Sequence, residues 1–140
     1  MREYELVAEF KVEGEPVGKA RPRVTRWGTY TPTKTSNYEK LVIWSYAEKY
    51  KSVCELPLKV RIQSYFEIPK SWSKKKKELA REGKLLHTSR PDCDNLAKAV
   101  LDALNTVAYK DDSQICEIEV SKGYSVAEPY TSVEIYSIGG

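Results

Sequence analysis

The sequence predicts a small single α+β domain, a mixed β-sheet with two main helices packed on it. Three observations lead there. Some stretches alternate apolar and polar residues at a period of two, as half-buried strands do. Others repeat apolar residues every three or four positions, as helices do. The two types intermix without the regular strand–helix–strand spacing of a parallel α/β fold. With 140 residues, of which 41% are hydrophobic, the chain can fill one core and is too short for two enzyme domains, so 1–140 is read as one domain.

The elements follow in order. Tyr4 to Val12 places Leu6, Ala8, Phe10 and Val12 on one side, a strand pattern. GEPVGKARPRV has two Gly, two Pro and no period, so it is an extended loop. Thr25 to Thr31 is read as a short hairpin turning at Trp27-Gly28. A helix capped by Thr33 or Thr35 runs to about Tyr50, with Tyr38, Leu41, Trp44 and Ala47/Glu48 at helical spacing. Leu58 to Ile68 is the cleanest strand. Ser71 or Ser73 caps a short basic helix, KKKKELARE, closed by Gly83. DCDNLAKAVLDALNTV is an amphipathic helix with Leu96, Val100, Leu104 and Val107 as its apolar stripe. Ile115–Val120 and Thr131–Ile138 are strands joined through Gly123 and Pro129.

Composition excludes several classes. No run approaches the roughly 18 apolar residues of a membrane helix. The start, MREYELVAEF, mixes charges into its apolar residues and does not read as a secretory signal. Cys54, Cys93 and Cys116 form no CxxC pair, which disfavours a zinc framework or a disulfide scaffold; a reducing cytoplasm is the expected compartment.

The net charge of +3 conceals a division. Residues 1–91 carry 20 Lys/Arg against 11 Asp/Glu, a net of +9, and residues 92–140 carry 3 against 9, a net of −6. All five aspartates, Asp92, Asp94, Asp102, Asp111 and Asp112, fall within the 21 residues from 92 to 112, while the other acids are glutamates spread along the chain. On the predicted helix Asp94, Lys98 and Asp102 recur every four residues, on the face away from the leucines. Asp92 stands at the helix mouth, and Asp111 and Asp112 occupy a turn entering a strand. Carboxylates gathered from two elements repel each other, and a divalent cation relieves that repulsion. All-oxygen donors suit Mg²⁺ or Mn²⁺, and an ammonium at Lys98 suits a scissile phosphate. The same residues also read as a helix cap, a solvated charge ladder and an ordinary turn.

Two basic stretches precede the acids. Lys19, Arg21, Arg23 and Arg26 lie with Trp27 and Tyr30 in the loop and hairpin. Lys74, Lys75, Lys76 and Lys77 lie on the short helix, followed by Arg81, Lys84 and Arg90. Such density matches a polyanion, and Trp27 or Trp72 can stack on an unpaired base. The lysine run by itself also reads as a solvated helix face. His87 is a candidate for a supporting or phosphate contact, against the commoner structural role of a lone histidine.

GEPVGKARPR (14–23), IPKSWSKKKK (68–77), HTSRPDCDNLAKAVLDAL (87–104) and YKDDSQI (109–115) resemble, in order, the RusA family of Holliday-junction resolvases. The resemblance spans about Val12 to Val120. It implies a homodimeric α+β endonuclease that binds four-way DNA junctions, requires Mg²⁺ (with Mn²⁺ substituting) and makes paired symmetric nicks. It carries metal binding and catalysis to Asp92, Asp94 and Asp112, and an essential lysine to Lys98. Asp111, Asp102 and Asn95 fall at supporting positions, and Lys19, Arg21 and Arg23 in a basic motif for DNA contact. The implied partners are branched DNA and a second copy of the chain, with no membrane and no small-molecule cofactor. The motif holds no histidine base, so the metal is expected to orient the attacking water. Two symmetric sites in a dimer suit two cuts, with the strand faces or the Trp44–Tyr46–Tyr50 region as candidate interface. The competing readings are a non-catalytic structure-selective binding module and a nuclease for other branched substrates.

Overall fold

The central strand explains the rest of the architecture. In the computed structural model, which describes residues 1–139, Leu58–Phe66 alternates without a break, burying Leu58, Val60, Ile62, Ser64 and Phe66. In chain order the elements are β1 (Glu3–Glu13), β2 (Arg23–Thr25), β3 (Gly28–Tyr30), α1 (Thr33–Ala47), β4 (Leu58–Phe66), α2 (Lys74–Arg81), α3 (Cys93–Leu104), β5 (Ile115–Tyr124) and β6 (Tyr130–Gly139). A short 3₁₀ turn, Asp112–Gln114, leads into β5. The main sheet is mixed, in the order β1-β6-β4-β5, with only β4 and β5 parallel. Parallel neighbours need a long crossover. Here α2 and α3 make it, so all five aspartates sit on the crossover or at its re-entry into the sheet.

The α+β class, the mixed sheet and two main helices agree with the sequence reading. Helices α1 and α3 pack together over the face carrying Phe10, Val12, Val60, Ile62, Val133 and Ile135. Leu96, Val100 and Leu104 are the buried stripe of α3, each at most 2% exposed. Burial on that scale stabilises by about 1.5–3 kcal/mol per side chain, which fixes the helix that carries the acids. No helix among the described residues is long and apolar enough to cross a membrane, and all three cysteines are free thiols.

Several elements differ from expectation for identifiable reasons. The buried face of α1 is Thr35, Tyr38, Val42 and Tyr46, while Leu41 and Trp44 point to solvent. The polar atoms on that face are satisfied, which makes their burial tolerable. The Thr35 hydroxyl accepts from the Ala20 N–H, and the Tyr38 hydroxyl bonds Thr131 at 2.9 Å. Tyr46 belongs to the core, edge-on to Phe10, and its hydroxyl donates to the Ser52 carbonyl, so it offers nothing to an interface. The residue before α1 is Pro32, which caps with no side chain; neither threonine does. Ser73 is the cap of α2, its hydroxyl accepting from Lys76 N–H, and Gly83 follows at φ +74°. The hairpin turns at Arg26-Trp27, one residue earlier than expected, with Gly28 at φ +129°. Gly123 lies inside β5 rather than in a connection.

Helix α3 ends at Leu104, short of Val107. Asn105 is extended and Thr106 takes a left-handed φ of +68°, while the N–H groups of Val107 and Ala108 both donate to the Leu104 carbonyl. This reversal turns the chain back beneath the helix, buries Tyr109 and delivers Asp111 and Asp112 beside it.

Candidate active site

A cleft of about 460 Å³ opens between α3 and the start of β5. Asp94, Lys98 and Asp102 line it from the polar face of the helix, and Asp112 from the turn, over an apolar floor that includes Leu101, Ile115 and Val120. Thus four of the chemically marked residues, separated by up to 18 positions in sequence, share one depression. Asp92 occupies the N-cap of α3 but makes no capping bond with its side chain, and it is exposed just outside the cleft lining.

The turn that carries Asp112 is held by identifiable contacts. The Asp111 carboxylate accepts from Ser113 N–H at 3.1 Å, and the Gln114 side chain accepts from Asp111 N–H at 2.9 Å, a closed capping box. The bond from Ser113 holds the Asp111 carboxyl below its ordinary pKa. Asp111 is thereby spent on the turn, and its neighbour Asp112 is the one presented to the cleft. Gln114 also donates to the Cys54 and Leu56 carbonyls, each at 2.9 Å, tying the aspartate turn to the segment before β4. Tyr109 lies under the site, its hydroxyl donating to the Leu101 carbonyl. Burial first, then the charges of Asp112 and Asp102, push that phenol well above its ordinary pKa, so it stays neutral.

The segment before α3 is clamped from two sides. Lys122 of β5 donates to the Ser89 and Pro91 carbonyls at 2.8 and 3.1 Å. Gly18 lies so close to the other side that a Cβ there would stand 2.6 Å from Pro91 Cβ and 3.2 Å from Asn95 Cβ. Only glycine permits that approach. The Lys19 N–H then donates to the Asn95 carbonyl at 2.8 Å. These contacts seat the basic loop on the first turn of the acidic helix.

Lys19 does not reach into solvent with the other basic residues. Its ammonium lies 3.0 Å from Glu39 of α1 and 3.3 Å from Asp102 Oδ2 of α3. Burial opposes its charge, but the hydrogen bonds and charges of Glu39 and Asp102 outweigh burial and raise its pKa. Lys98 approaches the same Asp102 oxygen at 3.4 Å while remaining 62% exposed, so its head is oriented yet free to meet an anion. Arg21, Arg23 and Arg26 are exposed on the loop and hairpin, and Arg90 is exposed before α3. Lys74, Lys75 and Lys76 are exposed and Lys77 half-buried on α2. That helix docks through Trp72, which packs edge-on against Tyr124 of β5 and lies beneath the Lys76 ammonium.

His87 is structural. It stacks on Phe66 at 3.8 Å and leans on Tyr124, away from the cleft lining. Sequence reasoning assigned nothing to Gly18, Glu39, Gln114 or Lys122. For Gly18 and Gln114 the available signal was their place within the GEPVGKARPR and YKDDSQI motifs. Glu39 and Lys122 carried none.

The comparison with known families decides the relationship. The sequence pattern of the family described as Endodeoxyribonuclease RusA matches residues 13–136, which include every residue of the cleft. The chain belongs to the RusA endodeoxyribonuclease family. A relative in Bacillus subtilis (strain 168), the uncharacterized protein YqaN, is 39% identical over 137 residues, covering 93% of this chain and 96% of that protein. For a RusA-family chain the relevant chemistry is phosphodiester hydrolysis in DNA, and Holliday-junction resolution is the activity that membership implies.

The cleft's donor set suits a metal ion held only in part by protein. Among the described residues no three Asp, Glu, His or Cys side chains stand close enough to cage one. Mg²⁺ is ordinarily held by one or two carboxylates and completed by waters and substrate phosphates, not by an all-protein cage. Asp94 and Asp112, exposed on two walls of one cleft, are such a partial set, with carboxylate oxygens of the right hardness.

Proposed function

We propose that this chain is a divalent-metal-dependent endonuclease that resolves four-way DNA junctions as a homodimer in the cytoplasm. The observation that carries the reading is the convergence of Asp94, Lys98 and Asp112 on one cleft within the matched RusA span. In this reading Asp94 and Asp112, with Asp92 at the cleft's edge, hold Mg²⁺, or Mn²⁺ in its place. When bound, the metal supplies charge neutralisation at the phosphate and a route to an activated water.

The chain's own residues do the rest. Lys98 donates to a nonbridging or leaving oxygen of the scissile phosphate, where an ammonium offsets the charge that grows in the transition state. Asp102 keeps that ammonium at the cleft wall, and Lys19 shares the charge of Asp102, which lessens the repulsion between that part of the helix face and DNA. Arg21, Arg23, Arg26, Arg90 and the α2 lysines bind the phosphate backbone. No histidine lines the cleft, so no imidazole takes the proton of the attacking water.

The test is cleavage of a four-way junction against a linear duplex of the same sequence, with Mg²⁺ and with EDTA. The reading requires paired nicks in the junction only, abolished by EDTA. Equal cutting of both substrates would leave a nuclease without junction selectivity, and cutting in EDTA would remove the metal from the mechanism.

A further inference from the structure

We propose that the β2–β3 hairpin is a base-stacking probe, with Trp27 at its tip inserting against an unstacked base face at the DNA branch point. The inference deepens the junction-cleavage reading and rests on it for the identity of the DNA.

Every residue from Arg21 to Tyr30 is exposed, including large apolar ones: Trp27 is 86% and Val24 80% exposed. A two-stranded hairpin has little stability of its own, and an exposed indole at its turn contributes nothing to the core. Tryptophan is among the residues enriched at the energetic centres of binding surfaces. The other tryptophans differ. Trp72 is engaged with Tyr124 and Lys76 in docking α2. Trp44 is exposed on α1 among charges of both signs, Lys40 and Glu48.

The surroundings of Trp27 select the partner. From Pro16 to Tyr38 the chain has five Lys/Arg and no acid, and the Arg26 guanidinium lies 5.1 Å from the Trp27 ring centre. An aromatic face framed by cations complements an unstacked base framed by phosphates, the pairing by which proteins hold single strands. A protein partner of equal apolarity would have to bury those arginines unpaired. An uninterrupted duplex hides its base faces, whereas a branch point or a single strand presents them.

Placement agrees. The hairpin springs from Lys19, which is fixed to Asn95 on the first turn of α3. Trp27 lies eight residues beyond, so it is within roughly 28 Å of that turn, less than the roughly 34–36 Å of one turn of duplex. The probed base and the cut phosphate then fall within a helical turn of each other. Gly28 at φ +129° sets the turn that presents the indole.

The experiment measures binding of wild type, Trp27→Ala and Trp27→Phe, in EDTA, to a four-way junction, a linear duplex and an oligothymidine strand. Trp27→Ala is expected to lose about tenfold on the junction and the single strand and less than twofold on the duplex, with Trp27→Phe recovering most of the loss. Equal losses on all three DNAs, or none on the single strand, would overturn the proposal. The two readings fail separately. Should wild type show no preference for junction over duplex while Trp27→Ala still releases the single strand, the probe stands and junction selectivity falls. Should the junction be preferred and Trp27→Ala change nothing, the probe falls alone. Trp27 is 86% exposed and outside the core cluster, so all three proteins are expected to melt together.

Discussion

The acidic cleft and the basic hairpin adjoin each other, yet they are built by opposite rules. Around the cleft each carrier is fixed: α3 by its buried leucine and valine stripe, the aspartate turn by Gln114, and the approach to Asp92 by Lys122 and Gly18. In the hairpin nothing is buried, and Arg21 to Tyr30 all face solvent. The difference follows from what each must do. Catalytic groups lose rate when displaced by about an ångström, so they belong on packed elements. Groups that follow a phosphate backbone or seek a base gain from adaptability and are ordered by the ligand. Lys19 is the hinge between the two, a basic-motif residue enlisted by the acidic side.

Removing charge from the cleft is the largest test of that division. Asp94→Asn keeps size and fold, and is expected to lower junction cleavage on the order of 10²–10³-fold, as loss of a group acting on the transition state does. Junction affinity should hold or rise, because a negative charge beside phosphate is gone. Single-turnover cleavage and gel-shift binding on the same preparation would check both. Cleavage within a few-fold of wild type would break the assignment of the cleft as the reacting centre.

A smaller effect separates Lys19 from its neighbours. Arg23→Ala is expected to weaken binding and to reduce the slope of log affinity against log salt by about one. Lys19→Met should leave that slope unchanged, because its ammonium is committed to Glu39 and Asp102. It should instead lower the cleavage rate of bound junction by roughly tenfold, through release of Asp102 and the mispositioning of Lys98. A salt slope that drops equally in both variants would return Lys19 to the DNA-contact set and erase the hinge.

Those two outcomes also mark what could be read from the sequence. The strands β1, β4 and β6, the stripe on α3, and the aspartates with Lys98 were legible because each is periodic or compositional: every second residue, every fourth residue, or all of one residue type in one window. The face of α1 was legible only at Tyr38: Leu41 and Trp44 look like core, while the true core face continues through Val42 and Tyr46 and includes Thr35, whose hydroxyl finds its partner only in the fold. The end of α3 was illegible because Thr106 takes a left-handed conformation that sequence rules reserve for glycine or asparagine. Lys19 looked like one of four equivalent cations. Its distinction is a contact with Glu39, twenty residues on, and with Asp102, far beyond any local pattern.

The smallest predicted effect is on the anchored side and depends on pH. His87 is stacked between Phe66 and Tyr124, and burial first, then the nearby Lys122 charge, lowers its pKa below the ordinary value near 6.5. Its Nδ1 is buried without a partner, so the fold favours the neutral ring. The sign follows: stability from this group is complete above the unfolded value near 6.5 and is lost as pH falls from there through the lowered folded value, because the unfolded chain takes up the proton first. Protonation there also sets a cation against Lys122, which holds the Ser89 and Pro91 carbonyls ahead of Asp92. Wild type should therefore lose more melting temperature between pH 7.5 and pH 5 than His87→Phe, which keeps the stack and has nothing to protonate. The hairpin, whose residues are all exposed, should bind an oligothymidine strand alike in both proteins at either pH. Equal acid-side losses in the two proteins would show that His87 contributes nothing to the anchoring of the cleft.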